Sequence, residues 1–157
     1  GGGYVSVYMA LASYLFDAPT ELFRCRNKTG AGHADHGAPF SQTAQPDAAV
    51  AASQPMIVLT SATSFSAADF TPMFLGATAR ARVMGRPTGG GFGSGNQRAL
   101  GADSVEYSNI LCEDLDGALL EGRPPAVDLP LEYAPEDLAV GRDTLIEAAR
   151  LELLATE

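Results

Sequence analysis

The stretch Pro55–Thr88, PMIVLTSATSFSAADFTPMFLGATARARVMGRPT, decides how the chain folds. It opens with Met56–Leu59, a short apolar run before polar residues that predicts a buried strand. Apolar residues then recur at helical spacing from Phe70 onward, and Ala81–Met84 predicts a second short strand. The stretch therefore predicts a strand–helix–strand unit of the α/β class, with Ser66 at the junction between the first strand and the helix.

Ser66 has two interpretations from this stretch. At a helix N-terminus the backbone N–H groups lack intrahelical partners, and the helix dipole favours negative charge. A serine oxygen there has a ready donor, the Ala67 N–H, for an oxyanion that forms beside it, so Ser66 is a candidate nucleophile. The alternative is a capping box, in which Ser66 and Asp69 only satisfy the first turn of the helix.

Length and charge set the class of the protein. The chain has 157 residues, of which 46% are hydrophobic and 18% are charged, as expected for one soluble globular domain. The net charge of −9 disfavours nucleic acid and anionic membranes as partners. The longest apolar run, Tyr4–Phe16, is too short to span a bilayer and has no basic segment before it, so membrane contact is not indicated.

The first third of the chain predicts one helix, one strand and a long loop. Tyr4–Asp17 predicts a helix that is buried on nearly all sides, and Leu22–Arg26 predicts a short strand. Asn27–Asp47 is rich in glycine and polar residues and predicts a long polar loop, of the kind that serves as a lid or a binding loop. Within it, His33 and His36 flank an aspartate, but no second Cys/His pair completes a metal site, so no metal is predicted.

Cys25 and Cys112 lie far apart in the sequence. They could pair, but free buried thiols are the expectation from sequence, and the redox compartment stays undecided.

The second half of the chain predicts mainly short strands. A glycine-rich segment, Gly85–Gly95, is neither a P-loop nor a dinucleotide-binding fingerprint, because it lacks G-K-[ST] and no helix follows it. Beyond it we predict a meander, one further short strand, and a final helix that Thr144 caps; their ranges are Gln97–Leu100, Ser104–Cys112, Gly117–Leu120, Val127–Leu131 and Leu145–Leu154.

Four motifs in this order resemble the C-terminal processing (tail-specific) serine peptidases. They are the opening G-G-G before a helix, T-S-F-S-A-A-D at 63–69, G-R-P-T-G-G-G at 85–91, and the closing segment that starts with E-G-R-P-P at 121–125. The resemblance covers almost all of the chain and implies a ClpP/crotonase-like ββα superhelix. It also implies that residues 1–157 are the C-terminal part of a peptidase core, truncated at its N-terminus.

The resemblance implies roles for particular residues. Ser66 matches the nucleophile, and Ala67 N–H matches one oxyanion donor. The second donor falls on Gly1 or Gly2, of which we favour Gly2, and Glu121 matches the acid of the closing segment. The glycine run would align an extended substrate through its strand edge, and the residues concerned are Gly89, Gly90 and Gly91.

The general base is where the chain departs from the bacterial members of this family. The lysine of their Ser–Lys dyad falls on Gly91, and Lys28 lies in the wrong segment. The tricorn-type branch uses a histidine upstream of the glycine run instead, and Glu121 and Pro72 favour that branch. The base is then expected outside this chain, with His33 and His36 as fallbacks. Pro72 also has a simpler explanation, a helix that starts at Thr71-Pro72 with proline at its first position. A second departure is Ala126, where the family has an aspartate.

The implied function is a serine peptidase that cleaves protein or peptide substrates through an acyl-enzyme on Ser66, without a cofactor. A rival from another class is a non-catalytic ligand-binding domain similar to the interphotoreceptor retinoid-binding repeats. A weaker rival is a crotonase-like acyl-CoA enzyme, which the acidic chain disfavours because it offers few cations for the CoA phosphates. Relatives of the tail-specific type are mostly exported, which implies a periplasmic or extracellular location.

Overall fold

The computed structural model describes residues 2–47, 53–93 and 95–155. They form a mixed α/β structure, as the sequence predicts. The elements in chain order are α1 Val5–Leu15, β1 Thr20–Asn27, β2 Phe40–Ala44, β3 Ile57–Thr60, α2 Ala67–Ala77, β4 Arg82–Gly85, β5 Gly95–Leu100, β6 Asp103–Ser108, β7 Ile110–Glu113, β8 Leu129–Pro130, α3 Pro135–Ala139 and α4 Thr144–Leu154.

The described strands form three small sheets. One has the order β2-β1-β7 and is antiparallel, the second has the order β3-β4-β8 and is parallel, and the third is the β5–β6 hairpin. None of the described helices is long and apolar enough to cross a membrane.

The predicted strand–helix–strand unit is confirmed as β3–α2–β4. Residues 57–60 pair in parallel with residues 82–85, so that α2 forms the crossover between the two strands. The carboxyl end of β3 is held by buried Thr60, whose hydroxyl donates to the Arg86 carbonyl oxygen at 2.8 Å. This contact fixes the strand end from which the chain runs on to Ser66.

A cluster of aromatic rings packs α2 against α1, β1 and the glycine-rich segment. Phe70 lies 4.7 Å from Phe23, 5.4 Å from Tyr8 and 4.9 Å from Phe92, measured between ring centres. Burial in this cluster raises the pKa of Tyr8 to about 12. Because Phe92 belongs to the glycine-rich segment, the core holds that segment against the helix that follows Ser66.

The prediction that the first helix is buried on nearly all sides is wrong. In α1 the side chains of Tyr8, Ala12 and Leu15 are buried, whereas Val7 is 66% exposed. Tyr4, just before the helix, is 83% exposed. The apolar residues of the sequence wrap most of the way round this helix, but which of them are covered depends on where α2 and β2 lie.

The prediction of a continuous polar loop over Asn27–Asp47 is also wrong. Residues 40–44 form β2, which pairs antiparallel with β1, and Lys28 forms an isolated bridge with His36. The mostly polar sequence of β2, FSQTA, shows no apolar run, and its strand conformation depends on backbone hydrogen bonds to a partner about twenty residues earlier.

Cys25 and Cys112 form a disulfide, so the expectation of free thiols is wrong. The two residues face each other in the register between β1 and β7. Both side chains are buried, at 2% and 3% exposure. A pairing across 87 residues of sequence follows from sheet topology, which the spacing of the cysteines does not reveal.

The predicted meander is wrong in its connections. The range Ser104–Cys112 divides at residue 109, because β6 pairs with β5 while β7 joins β1. Gly117–Leu120 is not a strand and contributes one isolated bridge, between Leu119 and Glu113. Val127–Leu131 contains only the two-residue strand β8.

The final helix is capped by Asp143 and not by Thr144. The Asp143 carboxylate accepts from Leu145 N at 2.9 Å and from Ile146 N at 3.0 Å. Thr144 is the first helical residue, and its hydroxyl oxygen accepts from Ala134 N.

Candidate active site

Ser66 occupies the residue directly before α2, half-buried, with φ 62° and ψ −119°. A positive φ is unusual for a residue with a side chain and costs on the order of 1–2 kcal/mol. The Ser66 side chain makes no capping hydrogen bond to the helix, so the capping-box interpretation is wrong. Its backbone carbonyl still accepts from Asp69 N at 2.7 Å, which starts the helix without using the hydroxyl. The Ser66 hydroxyl is therefore not used to cap α2.

Gly2 and Ala67 border the Ser66 side chain. A methyl group added to Gly2 would lie 3.3 Å from Ser66 Oγ and 3.0 Å from its Cβ, so the Gly2 backbone lies directly beside the hydroxyl. Ala67 begins α2, where N–H groups have no intrahelical acceptor. The structure therefore brings the two predicted oxyanion donors next to the predicted nucleophile. Gly1, the alternative donor, lies outside the described residues.

Asp69 has a role that sequence reasoning missed. Its side chain is fully buried, and its two carboxylate oxygens accept from Gly90 N at 2.7 Å and from Gly91 N at 3.2 Å. In the sequence, the capping box is the interpretation that gives Asp69 a role. No local signal in the sequence indicates this pairing, because Asp69 and Gly90 lie 21 residues apart.

The glycine run packs tightly behind the turn that carries Ser66. Gly89 N donates to the Ser64 carbonyl oxygen at 2.8 Å. A Cβ on Gly89 would lie 2.7 Å from the Phe65 ring, and one on Gly91 would overlap that ring. The N–H groups of Gly89, Gly90 and Gly91 are thus engaged within the protein. Substrate binding by these three residues stays a prediction, and it would have to use groups other than these N–H donors.

Glu121 is connected to the same run. Its carboxylate accepts from Phe92 N at 2.9 Å, and the next residue, Gly122, donates from its N–H to the Gly90 carbonyl oxygen at 2.8 Å. Because Gly90 is also bound by Asp69, a chain of hydrogen bonds runs from the first turn of α2 to the segment that carries Glu121. The predicted nucleophile and the predicted acid therefore belong to one connected framework.

Two cavities meet at Glu121. One, of about 360 Å³, also includes Phe65, which precedes Ser66. The other, of about 180 Å³, includes Lys28 and His36. The Lys28 ammonium donates to the carbonyl oxygens of Gly32 and His33, which holds it against its own loop.

Of the fallback bases, His36 borders the smaller cavity with Glu121, and His33 is exposed. Across residues 2–47, 53–93 and 95–155, no group of three His, Cys, Asp or Glu side chains is placed to hold a metal ion.

Pro72 lies inside α2, which begins at Ala67, so the explanation that the helix starts at Thr71 is wrong. The neighbouring Thr71 hydroxyl donates to the Ala67 carbonyl oxygen at 3.1 Å.

Solved structures with the same fold include a C-terminal processing protease. A candidate peptidase from Parabacteroides merdae is 30% identical, with a TM-score of 0.86, and the match covers 100% of this chain and 50% of that one. Mature CPAF complexed with lactacystin is 18% identical, with a TM-score of 0.83, over 99% of this chain and 43% of that one. The photosystem II D1 C-terminal processing protease is 21% identical, with a TM-score of 0.61, over 88% of this chain and 34% of that one. The last two likenesses show the fold alone.

The chain thus spans half or less of the length of these three proteins. No curated protein sequence matches it. The sequence model of peptidase family S41 matches residues 1–112, which is most of the chain and includes the Ser66 turn and the glycine run. With the fold of C-terminal processing proteases and this match over its sequence, the chain belongs to peptidase family S41.

Proposed function

We propose that this chain carries the nucleophile and the oxyanion hole of a serine peptidase. The observation that carries the proposal is the position of Ser66, on a positive-φ turn at the start of α2 with the Gly2 backbone beside its hydroxyl. Strained backbone of this kind is concentrated at functional sites. A serine that only capped the helix would bond to the first turn, and Ser66 does not.

The reaction is acyl transfer. Ser66 Oγ attacks the peptide carbonyl carbon while its proton passes to a general base, which we assign to a histidine outside this chain, as in the tricorn-type branch. The Gly2 and Ala67 N–H groups donate to the resulting oxyanion, each worth about 3–4 kcal/mol of transition-state stabilisation. The C–N bond then breaks, the amine leaves with the proton, and water releases the acyl group from Ser66. Glu121 orients the base from its anchored position on the glycine run.

Protein or peptide segments are the proposed substrates, with C-terminal processing as the mode, since the fold is shared with a C-terminal processing protease. A periplasmic or extracellular location agrees with the Cys25–Cys112 disulfide, because such bonds persist in oxidising compartments.

The test uses the protein expressed from its complete gene, as wild type, Ser66→Ala and Ser104→Ala. Ser104 is exposed on β6 and serves as the matched control. We expect wild type and Ser104→Ala to cleave casein and to be labelled by a fluorophosphonate, and Ser66→Ala to lose about 10³-fold or more in activity together with the label. Circular dichroism checks that each variant is folded.

Casein cleavage that survives in Ser66→Ala would contradict the proposal. If folded wild-type protein neither cleaves casein nor takes the label, the non-catalytic ligand-binding domain becomes the better assignment.

A further inference from the structure

A cavity of about 360 Å³ opens beside the turn that carries Ser66. Its lining combines glycine backbone, two aromatic rings and two carboxylates, and among its residues are Phe65, Gly93, Glu106, Tyr107 and Glu121. We propose that this cavity binds a basic side chain of the peptide substrate, with arginine preferred over lysine. The inference rests on the proposed peptidase function for its biological meaning, but it concerns binding and is tested separately from cleavage.

The cavity lies on the Phe65 side of the turn that carries Ser66. One wall is the ring of Phe65, the residue that precedes Ser66, and another is Glu121, the predicted catalytic acid. A peptide whose carbonyl lies at Ser66 has neighbouring side chains within a few ångströms, because successive residues are about 3.3 Å apart in an extended chain. The cavity is therefore within reach of a side chain close to the cleaved bond.

The cavity stays open because glycines alternate along its floor. Gly91, Gly93 and Gly95 all line it. A Cβ on Gly93 would lie 2.5 Å from Ser108 Oγ, and one on Gly95 would overlap the Glu106 carboxylate. The hairpin side chains thus lie directly against backbone, and the space between them and Phe65 is left for a ligand.

The charge of the lining favours a cation. Glu106 and Glu121 contribute two carboxylates, and none of the lysines, arginines and histidines that the structure describes lines the cavity. Among the described residues, neither glutamate takes part in an ion pair. A substrate carboxylate would be repelled here, whereas a guanidinium or ammonium group would supply the missing charge.

The aromatic rings favour arginine over lysine. Phe65 is 56% exposed and Tyr107 is 49% exposed, so both rings present free surface to the cavity. Aromatic faces attract cations, and the planar guanidinium also stacks on them and bonds carboxylates through two N–H groups at once. The aliphatic stem of the same side chain would cover the glycine floor.

The test measures binding to the Ser66→Ala variant of the protein expressed from its complete gene. The probes are fluorescein-labelled heptapeptides of alanine and valine, with arginine, lysine, norleucine or glutamate at the centre, and the readout is fluorescence anisotropy. We expect arginine to bind about tenfold more tightly than norleucine, lysine to fall between them and glutamate to bind most weakly. The advantage of arginine should shrink as salt is raised.

Glu106→Gln should reduce the affinity ratio of the arginine peptide to the norleucine peptide from about tenfold to about threefold or less. Tyr107→Leu should also reduce this ratio. The matched control is Glu136→Gln, at an exposed glutamate of α3 that does not line the cavity. This substitution should leave the affinity ratio of the arginine and norleucine peptides unchanged. Both pocket residues are exposed on the β5–β6 hairpin, so these substitutions leave the core intact.

The same peptides given to the wild-type protein separate the two proposals. Cleavage that depends on Ser66 but shows no preference for arginine, or equal binding of arginine and norleucine, overturns the pocket and leaves the peptidase in place. A preference for arginine that Glu106→Gln removes, without any cleavage, supports the pocket and counts against the peptidase. Failure of every peptide to bind overturns the pocket.

Discussion

At the scale of single residues, Ser66 and Asp69 have separate roles in the candidate site. Ser66 has a strained backbone and no capping bond, while Asp69, one turn further into the helix, uses both carboxylate oxygens to hold Gly90 and Gly91. A carboxylate that is fully buried is stable only when its oxygens are satisfied. Asp69 is therefore a positioning residue, which sets the distance between the Ser66 turn and the glycine run.

We expect Asp69→Asn to lower the free energy of unfolding by about 1.5–3 kcal/mol. The amide keeps the size of the side chain but turns one acceptor into a donor, which then faces an N–H of the glycine run. Urea denaturation measures the loss, with Asp116→Asn, at an exposed turn residue, as the control.

The same variant should also react with a fluorophosphonate at least tenfold more slowly at Ser66, because the glycine run no longer supports the turn. Asp69→Asn protein with wild-type stability and a wild-type labelling rate would show that this carboxylate has no positioning role.

At the scale of elements, the parallel pair β3–β4 sets where the Ser66 turn begins. Gly85 ends β4 with φ +123°, and a Cβ there would overlap the Thr60 carbonyl oxygen on β3. Thr60 is also the residue whose hydroxyl holds Arg86, so both strand ends are locked together at this point. The close approach of the two backbones requires glycine.

We expect Gly85→Ala to lower the free energy of unfolding by more than about 3 kcal/mol, because the strained φ and the overlap with backbone atoms add together. Gly101→Ala is the matched control. Gly101 also has a positive φ, of +66°, but no atom of the described residues lies within 4 Å of an added Cβ, so only the conformational cost of about 1–2 kcal/mol applies.

Thermal and urea denaturation of the two alanine variants give the comparison directly. If Gly85→Ala and Gly101→Ala lower the free energy of unfolding equally, the close approach of β3 and β4 does not require glycine at position 85.

At the scale of the whole molecule, the Cys25–Cys112 disulfide links β1 to β7, which lie on either side of the Ser66 segment in the sequence. The two cysteines are separated by 87 positions in the sequence, so the bond closes a long loop. Ser66, Asp69 and the glycine run all lie within that loop. Its main effect on stability is expected through the unfolded chain, whose conformational freedom falls when a long loop is closed. Within the sheet β2-β1-β7 the bond adds a covalent link between β1 and β7.

Replacing both cysteines by alanine should lower the free energy of unfolding by about 4 kcal/mol. Reduction of the wild-type protein with dithiothreitol should give a similar loss, and each single Cys→Ala variant should match the double variant. If the unfolded, unreduced wild-type protein reacts with a thiol reagent at both cysteines, the disulfide is absent in solution.

Local patterns predicted the parts of this molecule that depend on neighbouring residues. The apolar run at 56–59, the helical spacing after Ser66 and the strand at 81–84 were each visible within a few residues, and all three are present. The placement of Ser66 at the start of a helix followed from the same stretch. The Asp143 cap was missed because the neighbouring Thr144 is also a good capping residue. Strand β2 was missed because its partner, β1, lies about twenty residues earlier.

The sequence by itself thus determined the α/β class, the strand–turn–helix that carries Ser66 and the membership of the family that its motifs resemble, because each of these is encoded in short contiguous segments. Only the tertiary structure decided that Asp69 holds the glycine run, that Cys25 meets Cys112, and that the β5–β6 hairpin and Phe65 enclose a cavity beside the site. These features depend on contacts between residues that lie tens of positions apart, and the free energy of such contacts depends on how the whole chain packs.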